Sequence, residues 1–70
     1  MFIKIKDYRI DKAYISSYEP YENDEGYGIF IRMYRDEYPI RINYGKGEAG
    51  RKQRDEDIAL LDRELLNKDK

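Results

Sequence analysis

The chain has 70 residues, no cysteine and no histidine, and its fourteen basic and fifteen acidic residues leave a formal charge of −1. A disulfide framework and a thiolate metal site are excluded, and the commonest general base and metal ligand is missing. Charge balance argues against a chain held to nucleic acid by bulk charge, and no apolar run approaches the ~20 residues that span a bilayer.

Ile3 and Ile5 alternate with Lys4 and Lys6, so a first strand is expected over Phe2 to Lys6. Asp7 to Lys12 reads as a turn with a short extension, its aspartates offering local side-chain to backbone hydrogen bonds. Ala13 to Tyr18 reads as a second strand, although neither parity is apolar throughout: Tyr14, Ser16 and Tyr18 alternate with Ala13, Ile15 and Ser17. Pro20 cannot donate to a ladder, so the strand ends there or lies at a sheet edge. Asn23-Asp24-Glu25-Gly26 has the chemistry of a hairpin tip.

The clearest element is the hairpin that follows. Tyr27, Ile29, Ile31 and Met33 form one apolar row, with Gly28, Phe30, Arg32 and Tyr34 on the other parity. After Arg35-Asp36-Glu37, alternation resumes with Tyr38, Ile40, Ile42 and Tyr44 against Pro39, Arg41 and Asn43. Side chains leave a pleated backbone alternately up and down, so both runs read as half-buried strands. Gly45 to Gly50 reads as a flexible connector. Beyond it the period becomes helical, with Ile58, Leu61 and Leu65 on one stripe and opposite charges at Arg51–Asp55, Lys52–Glu56 and Glu64–Lys68. Acidic residues suit a helix N-terminus and basic ones oppose it, which puts the start of regular helix nearer Arg54 than Gly50. Leu60 and Leu66 lie off the stripe. Since one sheet covers one side of a helix, Leu60 is expected in solvent or under a partner.

The expectation is one domain over 1–70: a sheet in 1–44, a connector in 45–50 and a helix in 51–67. Its class is α+β, a small antiparallel β-meander of about four strands with the C-terminal helix packed on one face. A domain this short buries only about 60 per cent of its unfolded surface, so a homodimer is expected to supplement a thin core. Met1 to Lys6 lacks the apolar run of a secretion signal, and a reducing cytoplasm is the expected compartment.

Three stretches bear on function. Gly45 to Lys52 has the G-x-x-x-x-G spacing of a P-loop but Arg51-Lys52 where Lys and Ser or Thr are needed, so a strand-to-helix linker is the plainer reading. Lys46, Arg51, Lys52 and Arg54 remain candidates for holding a phosphate or carboxylate. Gly26-Tyr27-Gly28-Ile29-Phe30-Ile31 resembles a fragment of the RNP1 motif and of a cold-shock strand, without the other motifs of either. Phe30, Arg32, Tyr34 and Arg41 are therefore candidates for stacking and pairing with single-stranded nucleic acid. The third stretch carries part of the eight tyrosines: Tyr18, Glu19, Tyr21, Glu22, Asp24 and Glu25 make an acidic, aromatic candidate protein-binding tip. Only Ser16 and Ser17 offer aliphatic hydroxyls, with no histidine to activate them. A non-catalytic binding module without a cofactor is expected, with single-stranded nucleic-acid binding and a structural assembly role as alternatives.

Phe2-Ile3-Lys4-Ile5-Lys6-Asp7-Tyr8, Tyr14-Ile15-Ser16-Ser17-Tyr18 and Asp57 to Leu66 give the chain a pattern. It resembles the small proteins with a β-meander and C-terminal helix that are common in phages and mobile elements of low-GC bacteria. The resemblance implies a host-directed or self-assembling binding protein, such as an inhibitor of a bacterial defence protein, and assigns no functional residue.

Overall fold

The computed structural model describes residues 1–66. It is α+β: a two-stranded antiparallel sheet, a three-stranded antiparallel sheet and one C-terminal helix. The elements run β1 (Phe2–Ile5), β2 (Tyr8–Asp11), a 3-10 turn (Lys12–Tyr14), β3 (Ile15–Asn23), β4 (Gly26–Met33), β5 (Ile40–Gly45) and α1 (Glu48–Leu65). Five strands in two sheets replace the single sheet of about four.

The additional strand is β2, which lies where the sequence suggested a turn. It pairs with β1 through Ile3–Ile10 and Ile5–Tyr8. The two-residue turn at Lys6-Asp7 holds Lys6 at φ 54°, a left-handed conformation that glycine or asparagine would have signalled. The expected aspartate bond is present one turn later: Ala13 N–H donates to Asp11 Oδ1 at 3.1 Å, capping the 3-10 turn.

In the larger sheet β4 is central, between β3 and β5. Ile29 and Ile31 pair with Ile42 and Ile40, so one face collects the isoleucines. The uneven parity of β3 comes from a bulge: Ile15 pairs with Met33 and Ser17 with Arg32, leaving Ser16 unpaired. Ile15 and Tyr18 thus reach the same side although three residues apart. Pro20 sits inside β3, which is an edge strand. Tyr38, expected in a strand beside Ile40, instead lies in the loop before β5 and is 77 % exposed.

Ile3, Ile5, Ile10, Ile15, Ile29, Ile31, Ile42 and Leu61 form one core, against which Ile58, Leu60 and Leu65 also pack. Leu60 is therefore not left in solvent. The isoleucines of the two-stranded sheet join the same core, and Lys12 just beyond that sheet reaches Glu64 of α1 at 2.8 Å.

The connector is shorter than 45–50, because α1 begins at Glu48 after an uncapped Gly47. A second bulge, where Tyr27 pairs with Gly45 but Gly28 with Asn43, puts Gly45 at φ 88° and turns the chain into the helix. Gly50 then lies against the bulge itself, since a Cβ there would stand 2.3 Å from the Tyr44 carbonyl oxygen. Among the described residues Arg51–Asp55 and Lys52–Glu56 do not pair. Arg51 turns back to Glu48 and Arg54 to Asp55, both at 2.9 Å. Glu64–Lys68 and the expected helix end at Asn67 fall outside the described residues.

Candidate functional site

Strand alternation sorts the functional candidates before any packing is considered. Cross-strand partners share a face, so Glu19, Phe30 and Arg41 form one row across β3, β4 and β5. The next row is Tyr21, Gly28 and Asn43. Both rows lie on the face away from the isoleucine core.

Gly28 makes this outer face a platform. The Tyr21 ring occupies the space a side chain at Gly28 would take, 2.2 Å from an ideal Cβ. It stacks on Phe30 with ring centres 4.6 Å apart and planes tilted by 33°. Its hydroxyl accepts from Arg41 Nε at 3.2 Å and from Asn43 Nδ2 at 3.3 Å. Arg41 donates to Glu25 at 2.6 Å, and Arg32 to Glu19 at 3.2 Å. An aromatic pair is thus flanked by two arginines, each neutralised by its own glutamate. Tyr21, with Glu25 beside it, raises the Arg41 pKa and keeps that guanidinium charged.

The six residues of the expected acidic tip do not lie together. Glu19 and Tyr21 point to the outer face, Tyr18 and Glu22 have the opposite parity, and Asp24 and Glu25 form the β3–β4 turn. Tyr18 is half-buried and donates to Asp62 of α1 at 2.6 Å, which makes it a strand-to-helix fastening. Of the alternative set, Phe30, Arg32 and Arg41 share the outer face. Tyr34 lies beyond the end of β4 and is 71 % exposed. Lys46 and Lys52 are exposed, as is Arg51 beside Glu48. Arg54 turns inward, over the Tyr27 ring at 5.2 Å and onto the Tyr21 carbonyl oxygen at 3.1 Å. The four basic residues around the connector therefore do not converge.

Sequence reasoning missed Asn43, Asp57 and Asp62. Asp57 lies one turn before Leu61, on the buried stripe, and that spacing was the available signal. It is 7 % exposed, accepting from the Tyr44 hydroxyl at 2.6 Å and from Gln53 at 3.2 Å. Burial and then the hydrogen bond to Asp62 push the Tyr18 pKa up to about 12, and burial with Asp57 pushes Tyr44 higher still. Both hydroxyls stay protonated at neutral pH as donors to carboxylates.

A raised folded-state value stabilises the fold below the ordinary tyrosine pKa of about 10, and that contribution is lost as pH rises toward the folded values. In a spectrophotometric titration Tyr18 and Tyr44 should ionise late, above the ordinary tyrosine range. Tyr18→Phe should remove the delayed step near pH 12, and a late phase unchanged in that variant would contradict the assignment.

Among the described residues no group of three or more histidine, cysteine, aspartate or glutamate side chains is placed to hold a metal. No helix among the described residues is long and apolar enough to cross a membrane. Comparison with protein-family models, with curated proteins and with solved structures finds no match for this chain.

Proposed function

We propose that this chain is a non-catalytic module that binds another protein through the outer face of its three-stranded sheet. The observation that carries the reading is the Tyr21–Phe30 pair bracketed by Arg32–Glu19 and Arg41–Glu25. Tyrosine and arginine are enriched where protein interfaces concentrate their binding energy. Nucleic acid needs uncompensated positive charge, and both arginines here already have carboxylates.

Strand addition is disfavoured at both edges of the sheet. Lys6 Nζ donates to the Asn43 carbonyl at 2.6 Å on β5, while Pro20 and the Arg54 contact with the Tyr21 carbonyl guard β3. The reading takes α1 as the cover of the inner face, supported by buried Leu61 and the two Tyr–Asp bonds, which leaves the outer face for binding. The resemblance to phage and mobile-element proteins supports a bacterial host protein, a defence protein among them, as one partner class; a second copy of the chain is the other.

A photoreactive benzoylphenylalanine at Phe30 tests the face, with the same group at exposed Ala59 on α1 as control. Irradiation in bacterial lysate should give nuclease-resistant protein adducts from position 30 and few from position 59. Equal labelling from both positions would remove the face from the argument. Binding of single-stranded DNA or RNA at low salt, weakening steeply as salt rises, would replace this reading with the nucleic-acid alternative.

A further inference from the structure

We infer that the outer sheet face is self-complementary and that its partner is a second copy of this chain, docked face to face about a two-fold axis running along the strands in front of Phe30. This inference rests on the outer face being the binding surface.

Its basis is the polarity of one row. Glu19 on β3 pairs across to Phe30 on β4, and Phe30 to Arg41 on β5, so the row reads acid, aromatic, base. A two-fold axis parallel to the strands reverses the row from left to right while bringing the faces together. Glu19 of each copy then stands opposite Arg41 of the other, and the two Phe30 rings meet at the centre. The next row obeys the same rule in register, setting position Tyr21 on β3 of each copy opposite position Asn43 on β5 of the other. An axis perpendicular to the strands would instead oppose Glu19 to Glu19 and Arg41 to Arg41, which like-charge repulsion disfavours.

Arg32 is the one charged group of these rows that faces its own counterpart. It already lies 3.2 Å from Glu19, and the rotation of about 30° between stacked sheets carries the two copies apart. Two exposed ion pairs lose solvation when any partner covers them, so the partner must offer alternating charges at matching positions. A second copy does so by symmetry. Three strands spaced about 4.8 Å apart give a narrow face, and an interface this small makes a reversible dimer with a dissociation constant on the order of micromolar or weaker.

The arrangement predicts a charge-swap complementation. In Glu19→Arg the new arginine faces Arg41 twice across the axis, and in Arg41→Glu the new glutamate faces Glu19 twice. Mixing the two variants restores an opposite-charge pair at both positions. Sedimentation equilibrium over a concentration series should show wild-type self-association, at least tenfold weaker association of either variant alone, and an equimolar mixture that recovers to within about threefold of wild type.

A wild-type protein monomeric at millimolar concentration overturns the inference, as does a mixture that associates no better than its components. Far-UV circular dichroism verifies that the variants are folded. Should either charge variant unfold, Phe30→Ala decides, because it removes the central contact without changing charge and should weaken association at least tenfold. If the wild type is monomeric while the probe at position 30 still labels a different protein, self-docking fails and the binding face stands. If position 30 also labels nothing, both readings fail together.

Discussion

Ile31→Asp should abolish the cooperative thermal transition seen by circular dichroism, leaving no folded baseline. Ile31 has no exposed surface, pairs with Tyr18 and Ile40 across the sheet, and shares the core with Ile29, Ile42 and Leu61. Removing the side chain costs about 3 kcal/mol through lost burial and the cavity left behind. A carboxyl at that position costs several kcal/mol more, whether it stays ionised without a partner or takes up a proton. A domain of this size is stable by only roughly 4–10 kcal/mol, so the sum reaches the whole of its stability. Ile31→Val, which keeps most of the side chain, should cost about 1 kcal/mol and melt cooperatively. A native-like transition in Ile31→Asp would mean that the isoleucine row is not the core.

Gly50→Ala should destabilise the protein by about 2 kcal/mol, with the opposite sign to the one helix propensity assigns. Gly50 lies in the first turn of α1, where replacing glycine by alanine ordinarily adds about 0.5–1 kcal/mol of stability. Here the added methyl would stand 2.3 Å from the Tyr44 carbonyl oxygen and 3.1 Å from that of Gly45. These are backbone atoms of the bulge that ends β5, so relief requires moving the helix off the sheet. Gly47 is the matched control: it is the N-cap, has open space around it and makes no side-chain cap bond. Gly47→Asp should therefore gain a few tenths of a kcal/mol. Denaturant titrations of the three proteins separate the two glycines, and a stabilised Gly50→Ala would show that the helix does not approach Tyr44 so closely.

The same contrast runs through the molecule. Residues whose environment follows from local periodicity were legible in advance. The row Tyr27, Ile29, Ile31 and Met33 and the stripe Ile58, Leu61 and Leu65 each needed only a repeat of two or of about three and a half, and the turn at Asp24-Glu25 only the residues Asn23 and Gly26 on either side of it. The placement of Phe30, Arg32 and Arg41 on one face followed from the same counting.

What escaped are features in which distant parts of the chain meet. β2 was hidden because its pairing with β1 turns on a left-handed Lys6, whereas β3, expected over Ala13 to Tyr18, runs Ile15–Asn23 with its alternation broken by the bulge at Ser16. Tyr18 and Tyr21, neighbours in an apparent tip, were separated by the pleat: one fastens the helix through Asp62, the other joins Arg41 and Asn43 from β5. Composition and period state which side chains leave a strand together. Which strand lies beside which, and hence that Glu19, Phe30 and Arg41 stand in one row, depends on backbone pairing between segments more than ten residues apart, which no short window of residues encodes.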